Sequence, residues 1–153
     1  MFRYPSLPIV AVVVLFAATC GLAPAIAEDT KPAVTRPAKV VQFDHDEKSV
    51  CEGLPGCDFI LLAGDPATGA TQWLFRLQAS QAFPRHWHNT PEHMVGVRGA
   101  LTFNFETGQR HTLRTGEYLH YQEGMVHWGQ CEPKEECVFY VFNDKPYDFH
   151  LVR

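Results

Sequence analysis

Three histidines and one glutamate stand where they could share a metal ion. His86 and His88 are two residues apart, Glu92 follows the turn-forming Asn89-Thr90-Pro91, and His127 comes just after Gly124-Met125-Val126. In a strand, residues i and i+2 face the same side, so both imidazoles project together while Trp87 points away. The short insert could return the Glu92 carboxylate to that side. Three imidazoles and a carboxylate form a nitrogen and oxygen ligand set for one divalent transition metal: iron, manganese, copper, nickel or zinc. Such an ion would keep a net charge of about +1 and, in six-coordination, two adjacent open positions. It would attract a bidentate anionic oxygen ligand, polarise a carbonyl, lower the pKa of bound water or, as iron, copper or nickel, bind dioxygen beside a substrate. A pair of histidines near a glutamate is also compatible with a plain solvated face, so the surrounding pattern has to decide.

The elements that would position these residues are short strands. Runs of β-formers occur at 40–43 (VVQF), 58–63, 72–78, 93–97 and 100–105, then at 110–113, 117–121, 137–142 and 147–152 (YDFHLV). Turn-forming stretches such as GDPATG, ETGQ, RTG and NDKP separate them. No window carries a helical repeat over three turns, and many short strands at near-even spacing predict an all-β antiparallel barrel or jelly roll. The run CVFYVF at 137–142 is apolar throughout. It suits a strand buried on both faces, or one whose aromatic outer face meets a second copy in a homodimer.

The remaining histidines read more blandly. His93 adjoins Glu92, so alternation turns it away from the metal, while His111, His120 and His150 are isolated on strands as surface, packing or supporting groups. His45, within Asp44-His45-Asp46-Glu47, reads as a solvated loop residue. Met94 shares the parity of Glu92, and one or two aromatics from among Trp73, Phe75, Tyr118 or Tyr140 are expected to help line a cavity, the choice depending on register.

The first 27 residues read as a cleavable secretory leader. Arg3 gives a positive start, Pro8–Ala18 an apolar stretch shorter than a bilayer span, and Ala25-Ile26-Ala27 a small-residue cleavage site. Residues 28–39 read as a polar, flexible lead-in and 40–153 as the domain. Loss of Arg3 makes the formal charge one unit more negative than the −4 of the whole chain, with no basic footprint for nucleic acid. No membrane span is expected after cleavage, so the expected partners are small molecules and ions. Cys20 leaves with the leader, and Cys51, Cys57, Cys131 and Cys137 remain, which predicts two disulfides in a periplasmic or secreted protein. Of three pairings, the local ones are preferred, Cys51–Cys57 and Cys131–Cys137, because each brackets five residues rich in turn formers. A zinc site would want tighter Cys-x-x-Cys spacing.

The motif skeleton resembles that of the cupin family. His86-x-His88-x3-Glu92-x6-Gly99 is similar to the second half of the first cupin motif, and Gly116, Gly124 and His127 to the skeleton of the second. Sixteen residues separate Gly99 from Gly116, a short intermotif spacing. Ser80 stands where the first motif opens with glycine, Gln122 replaces a proline, and Cys131 replaces a terminal asparagine. The resemblance runs from about residue 55 to 130. It extends more loosely to the end, where VFNDKPYDFHLV resembles the closing strands of exported single-domain cupins. It implies a jelly roll with His86, His88, Glu92 and His127 as metal ligands. It also implies reactions ranging over dioxygenases, isomerases, lyases and decarboxylases, as well as storage proteins without activity.

Two functions of different class follow. One is a metal-dependent enzyme, dioxygenase-like, acting on a small oxygenated or anionic compound; the complete ligand set with open positions favours it. The other is a non-catalytic periplasmic metal- or ligand-binding module or sensor, favoured by a minimal chain with no added domain or lid.

Overall fold

A computed structural model describes residues 39–153, so the expected leader and nearly all of the lead-in lie outside the described residues. Among the described residues there is no helix long and apolar enough to cross a membrane. Eleven strands form in chain order: β1 (Ser49–Val50), β2 (Cys57–Gly64), β3 (Thr71–Leu77), β4 (Ala82–Trp87), β5 (Glu92–Arg98) and β6 (Ala100–Phe105). They continue with β7 (Arg110–Arg114), β8 (Tyr118–Tyr121), β9 (His127–Cys131), β10 (Cys137–Asn143) and β11 (His150–Leu151).

The strands pair antiparallel in two sheets that face each other as a jelly roll. One sheet has the order β1-β2-β3-β10-β5-β8, the other β11-β4-β9-β6-β7. Alternation explains which side chains meet between them. From β6, Leu101, Phe103 and Phe105 point inward and are at most 3% exposed. Trp73 and Leu77 of β3 answer from the other sheet, with Cys137, Phe139 and Val141 of β10. The apolar run in β10 has its explanation here. This strand is paired on both edges, to β3 and β5, while Tyr140 and Phe142 take the outer face.

Two expected strands are corrected. Residues 40–43 do not pair; Asp46 N–H donates to the Gln42 carbonyl and Gln42 N–H to the Asp46 carboxylate, closing a turn instead. Side-chain capture of this kind competes directly with a sheet ladder. In the run 147–152 only His150–Leu151 is a strand, paired to Trp87 and His86. Its earlier backbone is engaged elsewhere, with Tyr147 N–H donating to the Pro66 carbonyl. Conversely, β4 and β9 form where no apolar run announces them. Pro84 interrupts β4, and the pairing of β4 to β9 is irregular between Phe83 and His86. The inward positions of β9 are His127, Gly129 and Cys131 rather than aliphatic residues. Gly129 is required by its neighbours, since a Cβ there would lie 2.0 Å from the Thr102 carbonyl oxygen and 2.7 Å from the Phe83 ring.

Ser80 shows what its departure from the cupin motif entails. Its φ of 64° makes it the one non-glycine residue in the left-handed region among the described residues. A side chain there costs about 1–2 kcal/mol, partly offset in glycine by the entropy it loses on folding. Ser80→Gly is expected to stabilise the fold by about 0.5–1 kcal/mol, read as a higher urea midpoint. An unchanged or lower midpoint would refute that reading.

Candidate metal centre

Three of the four expected ligands, His86, His88 and His127, converge between the sheets, and Glu92 stands beside them, 3.6 Å from His88 Nε2 but outside the group of donor atoms that lie within 4.8 Å of one another. His86 comes from β4 and His127 from the start of β9, and the two are register partners on adjacent strands. His88 lies just beyond β4, and Glu92 opens β5 after the Thr90-Pro91 turn. Asn143, fully buried, donates to the Pro91 carbonyl in that turn. All four residues are at most 5% exposed.

One nitrogen from each of His86, His88 and His127 falls within 4.8 Å of the others, so the three could hold a metal ion. Each ring is also fixed from behind. Nδ1–H of His86 donates to the Pro84 carbonyl at 2.7 Å, that of His127 to the Met125 carbonyl at 2.9 Å, and that of His88 to the Asp148 carbonyl at 2.5 Å. A carbonyl can only accept, so each proton sits on Nδ1 and each Nε2 presents a lone pair. Metal-binding histidines use this arrangement to set tautomer and ring direction. Glu92 stands 3.6 Å from His88 Nε2 through Oε1, and Oε2 accepts a hydrogen bond from Tyr121. The same Tyr121 hydroxyl is 3.0 Å from His127 Nε2. The cavity around Glu92 is lined by no lysine or arginine. A buried carboxylate facing lone-pair nitrogens is costly without a cation, and a divalent ion satisfies both at once. The donor set fits a metal.

The electrostatics keep the site ready for it. Burial lowers the His86 pKa to about 2, with the neighbouring His127 and His88 acting in the same sense. Burial also lowers that of His127. Both imidazoles are therefore neutral, as ligands must be, across the physiological range. Tyr121 and Tyr147 are pushed well above the ordinary phenol range, first by burial and then by the Glu92 charge, so both keep their protons.

The site forms one end of a cavity of about 530 Å³. Met94, Trp73 and Phe75 line it, as expected from sequence, but Tyr118 and Tyr140 do not. Tyr118 is 61% exposed and its hydroxyl meets His93 Nδ1 at 2.6 Å, while Tyr140 lies across from Leu74 and Val95 on the outer face. The tyrosines that do line it are Tyr121 and Tyr147. Tyr121 is three residues from Tyr118 and so faces the opposite side of β8, directly across from Glu92. The signal available was that parity, which required knowing which face of β8 is inner.

The segment after β10 takes the place of a lid. The Tyr147 ring lies 5.0 Å from that of His88, and Phe149 stacks on His86 at 4.2 Å. The Asp148 carboxylate is anchored by Asn89 N–H at 2.7 Å and by His150 at 2.8 Å. His150 itself stacks on Trp87, 4.2 Å away on the far side of β4. The other histidines stay outside the site: His93 stacks on His120 at 4.3 Å, and His45, His111 and His120 are exposed.

Both cysteine pairs lie at disulfide distance, Cys51–Cys57 with Cα atoms 5.3 Å apart and Cys131–Cys137 with 5.7 Å. The first closes the turn between β1 and β2. The second joins β9 to β10 and so ties the two sheets together.

Solved structures share this architecture. The polyketide cyclase RemF from Streptomyces resistomycificus superposes with a TM-score of 0.65 at 17% identity, over 76% of this chain and 87% of the cyclase. An RmlC-like cupin from Shewanella frigidimarina gives 0.57 at 13% identity, over 71% of this chain and 92% of that one. Salicylate 1,2-dioxygenase from Pseudoaminobacter salicylatoxidans, in complex with gentisate, gives 0.55 at 16% identity, over 63% of this chain and 29% of the dioxygenase. At these identities the likeness is one of fold. No curated protein sequence matches the chain. The sequence profile of the ChrR cupin-like domain matches residues 38–146, most of the chain, and with the two-sheet jelly roll and the buried histidines at its motif positions this places the protein in the ChrR cupin-like family of the cupin superfamily.

Proposed function

We propose that this protein is an exported, metal-dependent enzyme of dioxygenase type acting on a small oxygen-bearing compound. In this reading His86, His88, Glu92 and His127 hold the ion. The observation that carries it is the convergence of three Nε2 lone pairs, each fixed by a carbonyl behind it, at the end of a largely apolar cavity. When bound, the ion would act as a Lewis acid on a carbonyl or enol oxygen and, if iron or copper, would support oxidation by dioxygen. The chain's own groups do the remainder. Tyr147 stays protonated and donates a hydrogen bond toward negative charge developing on the substrate oxygen. Tyr121 holds Glu92 in place. Phe149 and Tyr147 cover the imidazoles and keep water from them. Export is supported by the apolar leader in the sequence and by four cysteines at disulfide distance.

Elemental analysis of protein purified from the periplasm is expected to find close to one transition-metal ion per chain. Oxygen consumption across a panel of diketones, flavonols and thiols is expected for at least one class. Binding without turnover would favour the non-catalytic module, and no metal as isolated or after reconstitution would sink the centre. Iron or copper would support the dioxygenase subtype, whereas zinc or manganese would count against it.

A further inference from the structure

The cavity carries more information about its ligand than the metal ligands do. Apart from Glu52, its polar lining groups stand together: the three histidines, Glu92, Tyr121 and Tyr147. Beyond them the walls are apolar, with aromatic rings set among Leu54, Leu77, Leu101 and Val141. On the six-stranded sheet Phe75 and Phe139 stack with centroids 5.6 Å apart and 11° between planes, and Trp73 lies 6.0 Å from Phe75. On the facing sheet Phe83 and Phe103 are 5.4 Å apart. A gap between two sheet faces, walled by rings, accepts a planar apolar body.

Charge narrows the class further. Among the residues lining the cavity there is no lysine or arginine, and the one acidic group besides Glu92 is Glu52, an exposed residue in the turn between Cys51 and Cys57. A phosphate or a second carboxylate would be desolvated there without a counter-charge and would face Glu52. Only at the histidine end could negative charge be met, by a bound cation.

We propose that the cavity takes a flat, uncharged aromatic compound of two or more rings, its oxygen-bearing edge at the His86–His88–His127 end and Phe149 closing over it as a specificity-determining ring. This deepens the reading above and rests on it only for the role of the oxygen edge; the aromatic fit is independent of the metal. Phe149 suits that role because it stacks on His86 while remaining 45% exposed, so it sits at the rim rather than in the core.

The test is calorimetric titration of full mature protein, metal-free and zinc-loaded, with 1-hydroxy-2-acetonaphthone, a neutral bicycle with one hydroxy-ketone edge. The comparators are naphthalene-2,6-disulfonate, which has the same rings and two fixed negative charges, and glucose 6-phosphate. The ketone is expected to bind both forms, more tightly with zinc, and neither comparator to bind the metal-free form. Phe149→Ala is expected to weaken ketone binding about tenfold, while Phe149→Tyr, which keeps the ring, binds like wild type. The proposal is overturned if zinc loads but the ketone binds neither form, if either comparator binds the metal-free protein as tightly, or if Phe149→Ala leaves affinity unchanged. Ketone binding by a protein that takes up no metal would leave this proposal standing and sink the metal reading instead.

Discussion

His127→Ala is expected to abolish high-affinity metal binding, lowering affinity for zinc or iron(II) by more than about 100-fold. Changing only the groups that orient a ligand already costs about 10–100-fold, and loss of the ligand itself must exceed that. The variant also removes a side chain that is 1% exposed and packed near Phe103 and Phe105. A cavity of this kind costs about 2–4 kcal/mol, so the fold must be checked beside the affinity. Competition with a chromogenic chelator gives the first quantity and a urea midpoint the second. The companion variant Tyr121→Phe keeps the ring and removes only the hydroxyl shared by Glu92 and His127. It is expected to retain the metal with a loss of about tenfold, the lower end of the range for such supporting groups. Near-wild-type affinity in His127→Ala would remove His127 from the centre.

Loss of the Cys131–Cys137 pair is expected to be the most destabilising change outside the site. Replacing both residues with alanine should cost about 3–5 kcal/mol, toward the upper part of the range for small exported domains. The reason is placement. These cysteines are 0% and 1% exposed, belong to the core cluster and join β9 of one sheet to β10 of the other. His127 lies on the same strand, four residues upstream, so loosening this tie also loosens the ligand. The equivalent change at Cys51 and Cys57 should cost less, because that pair only closes a turn at the edge of one sheet and Cys51 is partly exposed. Guanidinium unfolding of the two double variants separates the cases. A Cys51/Cys57 variant that proves the less stable of the two would reject this account.

Strands whose inward positions are aliphatic or aromatic were legible as sequence. Ala100–Phe105 is bounded as its alternation implies, because Leu101, Phe103 and Phe105 repeat with the period of a strand. The strands that carry the imidazoles were not. Apart from Phe83, their inward positions are histidine, glycine and cysteine, with Pro84 interrupting β4, so the residues that make the site useful also erase the pattern that announces a strand. The cavity lining divides in the same way. Met94 and two of the four candidate aromatics, Trp73 and Phe75, line it, whereas Tyr121 and Tyr147 had not been singled out. Parity of a strand is visible locally; which parity faces inward depends on its partners.

The sequence by itself determined the four candidate ligands His86, His88, Glu92 and His127 and the all-β barrel or jelly-roll class, and it favoured the local pairing of cysteines. Most of this is written in spacings of a few residues, where strand alternation and short loops leave the chain little choice, while His127, 35 residues beyond Glu92, is tied in by the glycine skeleton around it. Only the tertiary structure decided how the ligands are held and what covers them. Asp148 lies 60 residues from the His88 ring it fixes, Tyr121 crosses from β8 to Glu92, and Phe149 folds back over His86. Such contacts follow from register and from the facing of two sheets, which bring together segments whose spacing in the chain carries no trace of the meeting.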